Sequence, residues 1–183
     1  MRTYTYLDHA ATTPMRPEAV AAMLPFLSER FANPSGSHRF AREARQVVDE
    51  ARDVVAGVIG CAPGEVVFTG GGTEADNTAI RGVLSRRPGT VAVCPAAEHH
   101  AVLECVHRTH GTVFATTATG AVDLAALAAA LDELGEAVSI VSVMAVNNEV
   151  GTVNDLAAVS AVVRAHAPHA ALHSDAVQAP SWL

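Results

Sequence analysis

Thr69-Gly70-Gly71-Gly72-Thr73-Glu74-Ala75-Asp76-Asn77 is the stretch on which the reading of this chain depends. Ahead of it, Glu65-Val66-Val67-Phe68 is a short apolar run that reads as a buried strand. Behind it, Ala79, Ile80, Val83 and Leu84 recur at helical spacing. The pattern predicts a strand, a glycine-rich turn and a helix. Three successive glycines permit a tight turn and leave the peptide N–H groups uncovered. Thr73 is predicted to cap the helix, so that its hydroxyl, the first free N–H groups and the positive end of the helix dipole face one spot. Two readings fit the glycines equally: a plain strand-to-helix turn, or a seat for a phosphate. No lysine follows the glycines, which excludes a Walker loop, and the spacing is not that of a G-x-G-x-x-G dinucleotide turn.

Outward from this stretch the chain alternates. Tyr6 to Pro14 is an extended lead-in, and Pro17 and Glu18 open a helix to about Arg30. Asn33-Pro34 and Ser35-Gly36 are turn pairs. Ser37 is the predicted cap of a helix from His38 to Ile59, with Phe40, Ala44, Val47, Val48, Ala51, Val54, Val55 and Val58 on its apolar face and Gly60 as its stop. Past the glycine turn, strands are predicted over 90–94, 112–115, 138–146 and 170–174. Helices are predicted over 100–110, from a cap at Asp123 to Leu134, and from Asn154 or Asp155 to His166. Strands alternating with helices predict an α/β fold: a mostly parallel sheet with helices on both faces. In such sheets ligands sit beyond the carboxyl ends of the strands.

The totals narrow the function. With 183 residues, half of them hydrophobic, a sizeable core is available, and a net charge of -7 argues against a nucleic-acid surface. The N-terminus has no apolar signal segment and no run spans a bilayer, so a soluble cytoplasmic protein is expected, with no membrane partner. Cys61, Cys94 and Cys105 show neither a disulfide framework nor zinc-site spacing. All twelve basic residues counted as Lys+Arg are arginines, and the chain contains no lysine.

The polar clusters fall at the predicted strand ends: Gly70 to Thr73, Glu98-His99, Asn147-Asn148-Glu149, and Asp175 with Gln178. Each has a dull explanation alone. Glu98-His99-His100 reads as a helix start with a solvated His pair, and adjacent histidines point in different directions, which disfavours a metal. Asn147-Asn148 reads as a turn and Asp175 as a cap. Together they suit a phosphorylated aromatic ring: a carboxylate on a pyridinium nitrogen makes the ring an electron sink, an imidazole stacks on it and moves protons, and amides hold a phenolic oxygen. Those are the requirements of pyridoxal 5'-phosphate (PLP).

The chain resembles the N-terminal portion of the cysteine desulfurases, PLP enzymes of the class V aminotransferase group. The matching segments run in the family's order: Leu7 to Pro14, Asn33-Pro34-Ser35, Ser37-His38, Val67 to Asn77, Glu98-His99, Val146 to Gly151 and Asp175-Ala176-Val177-Gln178. The resemblance implies the large domain of a fold-type I PLP enzyme over residues 15–183, with residues 1–14 a leading segment on the small-domain side. It implies that Gly72 and Thr73 bind the phosphate. His99 would stack on the ring as the catalytic proton carrier, and Asn148 would lie by the ring hydroxyl and the substrate. Asp175 would pair with the ring nitrogen, Gln178 would bond the hydroxyl, and Asn33 and the Ala10-Ala11-Thr12 turn would lie near substrate. It implies L-cysteine as substrate, a sulfur-acceptor protein as partner and a homodimer in the full-length form. In relatives a Ser-x-His-Lys segment, whose lysine anchors the cofactor, and a loop cysteine that takes the sulfur follow later. This chain ends at Leu183 without them, so it is expected to be the N-terminal portion of such an enzyme and inactive alone. The alternatives are another class V enzyme such as a selenocysteine lyase, or a non-catalytic fragment that binds a phosphorylated ligand or a partner chain.

Overall fold

The computed structural model describes residues 4–180. The chain packs into two units, one ending at Phe68 and the other beginning at Thr69.

The first unit is helical. Helix α1 (Pro17–Met23) is followed by a 3-10 turn over Leu24–Leu27, where a continuous helix to Arg30 was predicted. Pro25 accounts for the change: it has no N–H to continue the α pattern, and its ring crowds the preceding turn. Helix α2 (Arg39–Ile59) has the predicted span, but its cap is His38, whose Nδ1 accepts the Ala41 N–H at 3.3 Å, and not Ser37. Gly60, at φ 79°, ends it in the left-handed conformation that glycine adopts without cost. The predicted apolar face is present but largely open: Phe40, Val54 and Val58 are 64%, 68% and 74% exposed.

The predicted strand over 65–68 does not form. Pro63–Glu65 is a 3-10 turn, and Val67 and Phe68 are exposed. The Val66 carbonyl, which a strand would offer to a neighbour, instead accepts from Arg52 Nε at 3.3 Å, and the Arg52 guanidinium lies over the Phe68 ring. An apolar run becomes a strand only where another strand satisfies its backbone.

The second unit is the α/β layer that the alternation predicted. It runs α3 (Gly72–Arg86), β1 (Val91–Pro95), α4 (His100–Arg108), β2 (Thr112–Phe114), α5 (Leu124–Leu134), β3 (Val138–Ser142), α6 (Leu156–His166) and β4 (Ala171–His173). The four strands are all parallel, in the order β2-β1-β3-β4. Strand residues alternate between two cores. Ala92, Cys94 and Ile140 pack with Ile80 of α3 and Val102, Cys105 and Val106 of α4 on one face. Val93 and Val141 pack with Leu127 and Leu131 of α5 and Val159 and Val163 of α6 on the other. Burial of each such side chain contributes about 1.5–3 kcal/mol. The predicted caps Asp123 and Asp155 hold: their carboxylates accept from Ala125 and Ala126, and from Ala158. β3 is shorter than predicted, although Val143 and Ala145 still donate to the His173 and Asp175 carbonyls. Gly111 enters β2 where a Cβ would stand 2.4 Å from the Ala92 carbonyl oxygen, so only glycine fits there. Among the described residues no helix is long and apolar enough to cross a membrane.

Candidate functional site

The site is built from the loops that follow β1, β3 and β4 and from the first turns of α3 and α4. At α3 the cap is Gly71, in extended backbone, and Thr73 stands in the first turn instead of at the predicted cap position. The first intrahelical bond runs from Ala75 N–H to Gly71 O, so the N–H groups of Gly72, Thr73 and Glu74 have no carbonyl of the helix to meet. The space a Cβ would fill at Gly71 and Gly72 is open. Glu74 turns back on the loop: its Oε2 accepts the Gly70 N–H at 2.6 Å and holds the glycines in shape.

His99 caps α4. Its Nδ1 accepts the Ala101 N–H at 3.1 Å, so the neutral ring carries its proton on Nε2. Asn77 joins the two helix starts, donating from Nδ2 to the Thr73 carbonyl at 2.9 Å and to the Ala101 carbonyl at 3.2 Å. Thr73, Asn77 and His99 accordingly line one open cleft, with Arg81 and Arg108 further along it.

Beyond β3, Asn147 builds the turn that carries Asn148. Its Oδ1 accepts from the N–H groups of Glu149 and Val150 at 2.8 and 2.9 Å, and its Nδ2 donates to the Ala97 carbonyl at 2.8 Å. Asn148 itself is exposed at the tip. Beyond β4, Asp175 is half-buried, and its Oδ1 accepts the Val177 N–H at 3.1 Å. Gln178 is half-buried three residues later. Asn33 and the Ala10-Ala11-Thr12 turn belong to the first unit.

Between these loops lies a group of acids to which the sequence reading assigned no role. Asp76, 4% exposed, sits on α3 with Oδ1 3.7 Å from His173 Nε2. Burial, and then the charge of Asp175, push its carboxyl up to about 6, while His99 pulls it down. Asp76 thus feels the charge of both His99 and Asp175. The His173 gap is too long for a hydrogen bond, and burial lowers the tendency of its imidazole to charge; we therefore read the contact as a neutral histidine beside a carboxylate and not as an ion pair. His173 Nδ1 is 2.9 Å from Ser142 Oγ. Glu98 is buried as well, and burial pushes its carboxyl up to about 8. The signal for Asp76 was in the sequence: it stands four and seven residues before Ile80 and Val83, on the apolar stripe of α3. A carboxylate on such a stripe is buried. Cys94 and Cys105 are also buried, and the Cys94 thiol is pushed up to about 12, so neither serves as a thiolate.

Residues 5–181 match the aminotransferase class-V family. The chain belongs to that family. Among its class-V relatives, the cysteine desulfurase IscS of Dictyoglomus turgidum is 41% identical, over 97% of this chain and 46% of its own length. The IscS-like cysteine desulfurase of Mycobacterium tuberculosis is 42% identical, over 97% of this chain and 47% of its own. Two solved structures superpose closely. A NifS-like protein has a TM-score of 0.83 at 31% identity, covering 93% of this chain and 48% of that one. SspA in complex with cysteine has a TM-score of 0.84 at 30% identity, covering 96% and 51%. The chain therefore spans about half the length of the class-V relatives it matches.

Proposed function

We propose that the chain is the N-terminal, cofactor-cradling portion of a PLP-dependent cysteine desulfurase, which converts L-cysteine to L-alanine and passes the sulfur on as a persulfide. The observation that carries this is the grouping of an anion seat, a capped imidazole and a half-buried carboxylate around Asp76, in a chain that is similar to desulfurases over nearly all its length.

The residues present fit PLP. The first turn of α3 offers unpaired N–H groups and the Thr73 hydroxyl, with open space over Gly71 and Gly72, which suits a phosphate. When bound, PLP supplies an electron sink for negative charge at the substrate Cα. In this reading Gly72 and Thr73 bind its phosphate. Asp175 holds the proton of the ring nitrogen. Gln178 and Asn148 bond the ring hydroxyl, and Asn148 and Asn33 contact the substrate. His99 packs on the ring and moves a proton from Nε2, the nitrogen that capping leaves free. The chain has no lysine, and Cys61, Cys94 and Cys105 do not lie in the family's loop motif, so the covalent anchor and the sulfur acceptor come from outside these residues.

The finer parts of the proposal follow the relatives' names and the family resemblance. Residues 1–14 lie on the small-domain side and 15–183 in the large domain. The full-length form is a cytoplasmic homodimer that hands sulfur to an acceptor protein for iron–sulfur assembly or tRNA thiolation.

The test is titration of the chain with PLP, followed by ³¹P and histidine NMR signals. Saturable binding that shifts the His99 ring, and that Thr73→Ala and Asp175→Ala each weaken, supports the proposal. A chain that leaves the ³¹P signal of PLP unmoved argues against it.

A further inference from the structure

The loops after β1 and β3 hold each other by a reciprocal pair of contacts. Glu98, on the β1 loop, accepts the backbone N–H of Met144 at Oε1. Asn147, on the β3 loop, donates from its side chain to the Ala97 carbonyl of the β1 loop at 2.8 Å. Each side chain thus reaches the other loop's backbone. Both residues are buried, at 7% and 8% exposure. The flanks are tied as well: Asn154 Nδ2 donates to the Met144 carbonyl at 2.9 Å, and its Oδ1 accepts the Val122 N–H at 2.9 Å. His99 follows Glu98, and Asn148 follows Asn147. Each buried member of the pair is therefore the immediate neighbour of an exposed residue to which the cofactor reading gives a role.

We propose that Glu98 and Asn147 form a clamp that positions His99 and Asn148 relative to each other, and that the clamp closes with a proton on Glu98. The proton follows from the surroundings of the second oxygen. Glu98 Oε2 is buried and finds no hydrogen-bond partner among the described residues. A carboxylate left so would be an uncompensated buried charge. The titratable groups that act on it offer no relief. Asp76 of α3 and Asp175 beyond β4 both add negative charge, and Cys94 of β1 is a thiol. Only the Met144 N–H favours the ionised form, and it is outweighed: the carboxyl is pushed up to about 8. Ionisation puts a third negative charge beside Asp76 and Asp175, and the β1 loop then moves toward water. The inference rests on the cofactor reading only for what His99 and Asn148 do; the clamp and its proton are properties of the chain without any ligand.

The experiment therefore uses the full chain without cofactor. Infrared spectra of chain labelled with ¹³C at glutamate carboxyls are compared between neutral and alkaline pH, for wild type and Glu98→Gln. NMR signals of the His99 ring and of the Met144, Glu149 and Val150 amides are followed over the same range. The expected result is a protonated-carboxyl band at neutral pH that is lost on the alkaline side and is missing in Glu98→Gln. His99 and Met144 signals should move with that loss in wild type and stay still in Glu98→Gln, which keeps the shape of the neutral acid. Glu98→Ala should show the open-loop signals at every pH. Asn147→Ala should lose amide protection at Glu149 and Val150 while keeping the carboxyl band, so the two halves of the clamp are read separately. The proposal is overturned if no protonated band belongs to Glu98, or if wild type and Glu98→Gln trace the same pH curve at His99. Failure of PLP to bind would leave these outcomes unchanged and would count against the cofactor reading alone.

Discussion

His99 caps the helix it opens, with Nδ1 accepting the Ala101 N–H at 3.1 Å. One ring nitrogen is thereby committed to the backbone and the other kept for chemistry, so structural and chemical roles separate by substitution. His99→Asn keeps a capping side chain, while His99→Ala removes it. We expect His99→Ala to lower unfolding stability by about 1 kcal/mol and His99→Asn to lose far less. Both should lose the proton-transfer step in an enzyme completed by its other half, at about 10²–10⁴-fold in turnover. Thermal unfolding checks the first statement and turnover the second. Equal stability of the Ala and Asn variants would remove the capping role.

Asp76 sets a pH dependence of opposite sign to that of a salt-bridged carboxylate. Its carboxyl stands at about 6 in the folded chain against an ordinary value of 3.8, so the folded state binds more protons than the unfolded state between those limits. Stability from this group falls as pH rises through that window and levels off above it. Asp76→Asn should flatten the fall and make the variant the more stable of the two at neutral pH. Denaturant unfolding at a series of pH values tests this; a wild type that gains stability over the window relative to Asp76→Asn would reverse the sign.

Gly111 is held between α4 and β1. A Cβ there meets the Ala92 carbonyl oxygen at 2.4 Å and a Val106 methyl at 2.7 Å. The backbone must shift to admit it, and Gly111→Ala should cost about 1–3 kcal/mol. Gly82, on the surface of α3 with nothing within 4 Å of its Cβ position, is the control. Gly82→Ala should stabilise slightly, because alanine is the better helix former. Similar melting temperatures for the two variants would contradict the packing described here.

Much of this was legible in the sequence because the decisive chemistry is local. Asp123 and Asp155 cap helices with their own carboxylates, and Gly60 takes the positive φ that stops α2. The alternation of strand and helix gave the parallel sheet, because only crossovers of that length join parallel neighbours. What failed was non-local. Val66 to Phe68 has the composition of a strand, but apolar character does not supply a neighbouring ladder, and the Val66 carbonyl turned to Arg52. Phe40, Val54 and Val58 share a helix face that stays largely exposed. Thr73 missed the cap position by two residues, since the helix begins earlier, from Gly71 in extended backbone. At the site, the exposed residues His99 and Asn148 and the half-buried Asp175 were singled out from their motifs. The supporting roles of Asp76, Glu98, Asn147 and His173 were not read, although Glu98 and Asn147 fell in the clusters noted, because a support is defined by what it touches across the sheet.

The most direct test is to restore what the chain does not span. This chain is mixed with a polypeptide carrying the remaining half of a desulfurase relative, and sulfide and alanine are measured from L-cysteine in the presence of PLP. PLP in buffer gives the background. The account predicts background release from the chain alone, since it has no lysine, turnover well above background from the pair, and loss of that turnover when the chain carries His99→Ala. Turnover above background by the chain alone would contradict the account, as would a pair that associates and binds PLP yet leaves L-cysteine intact.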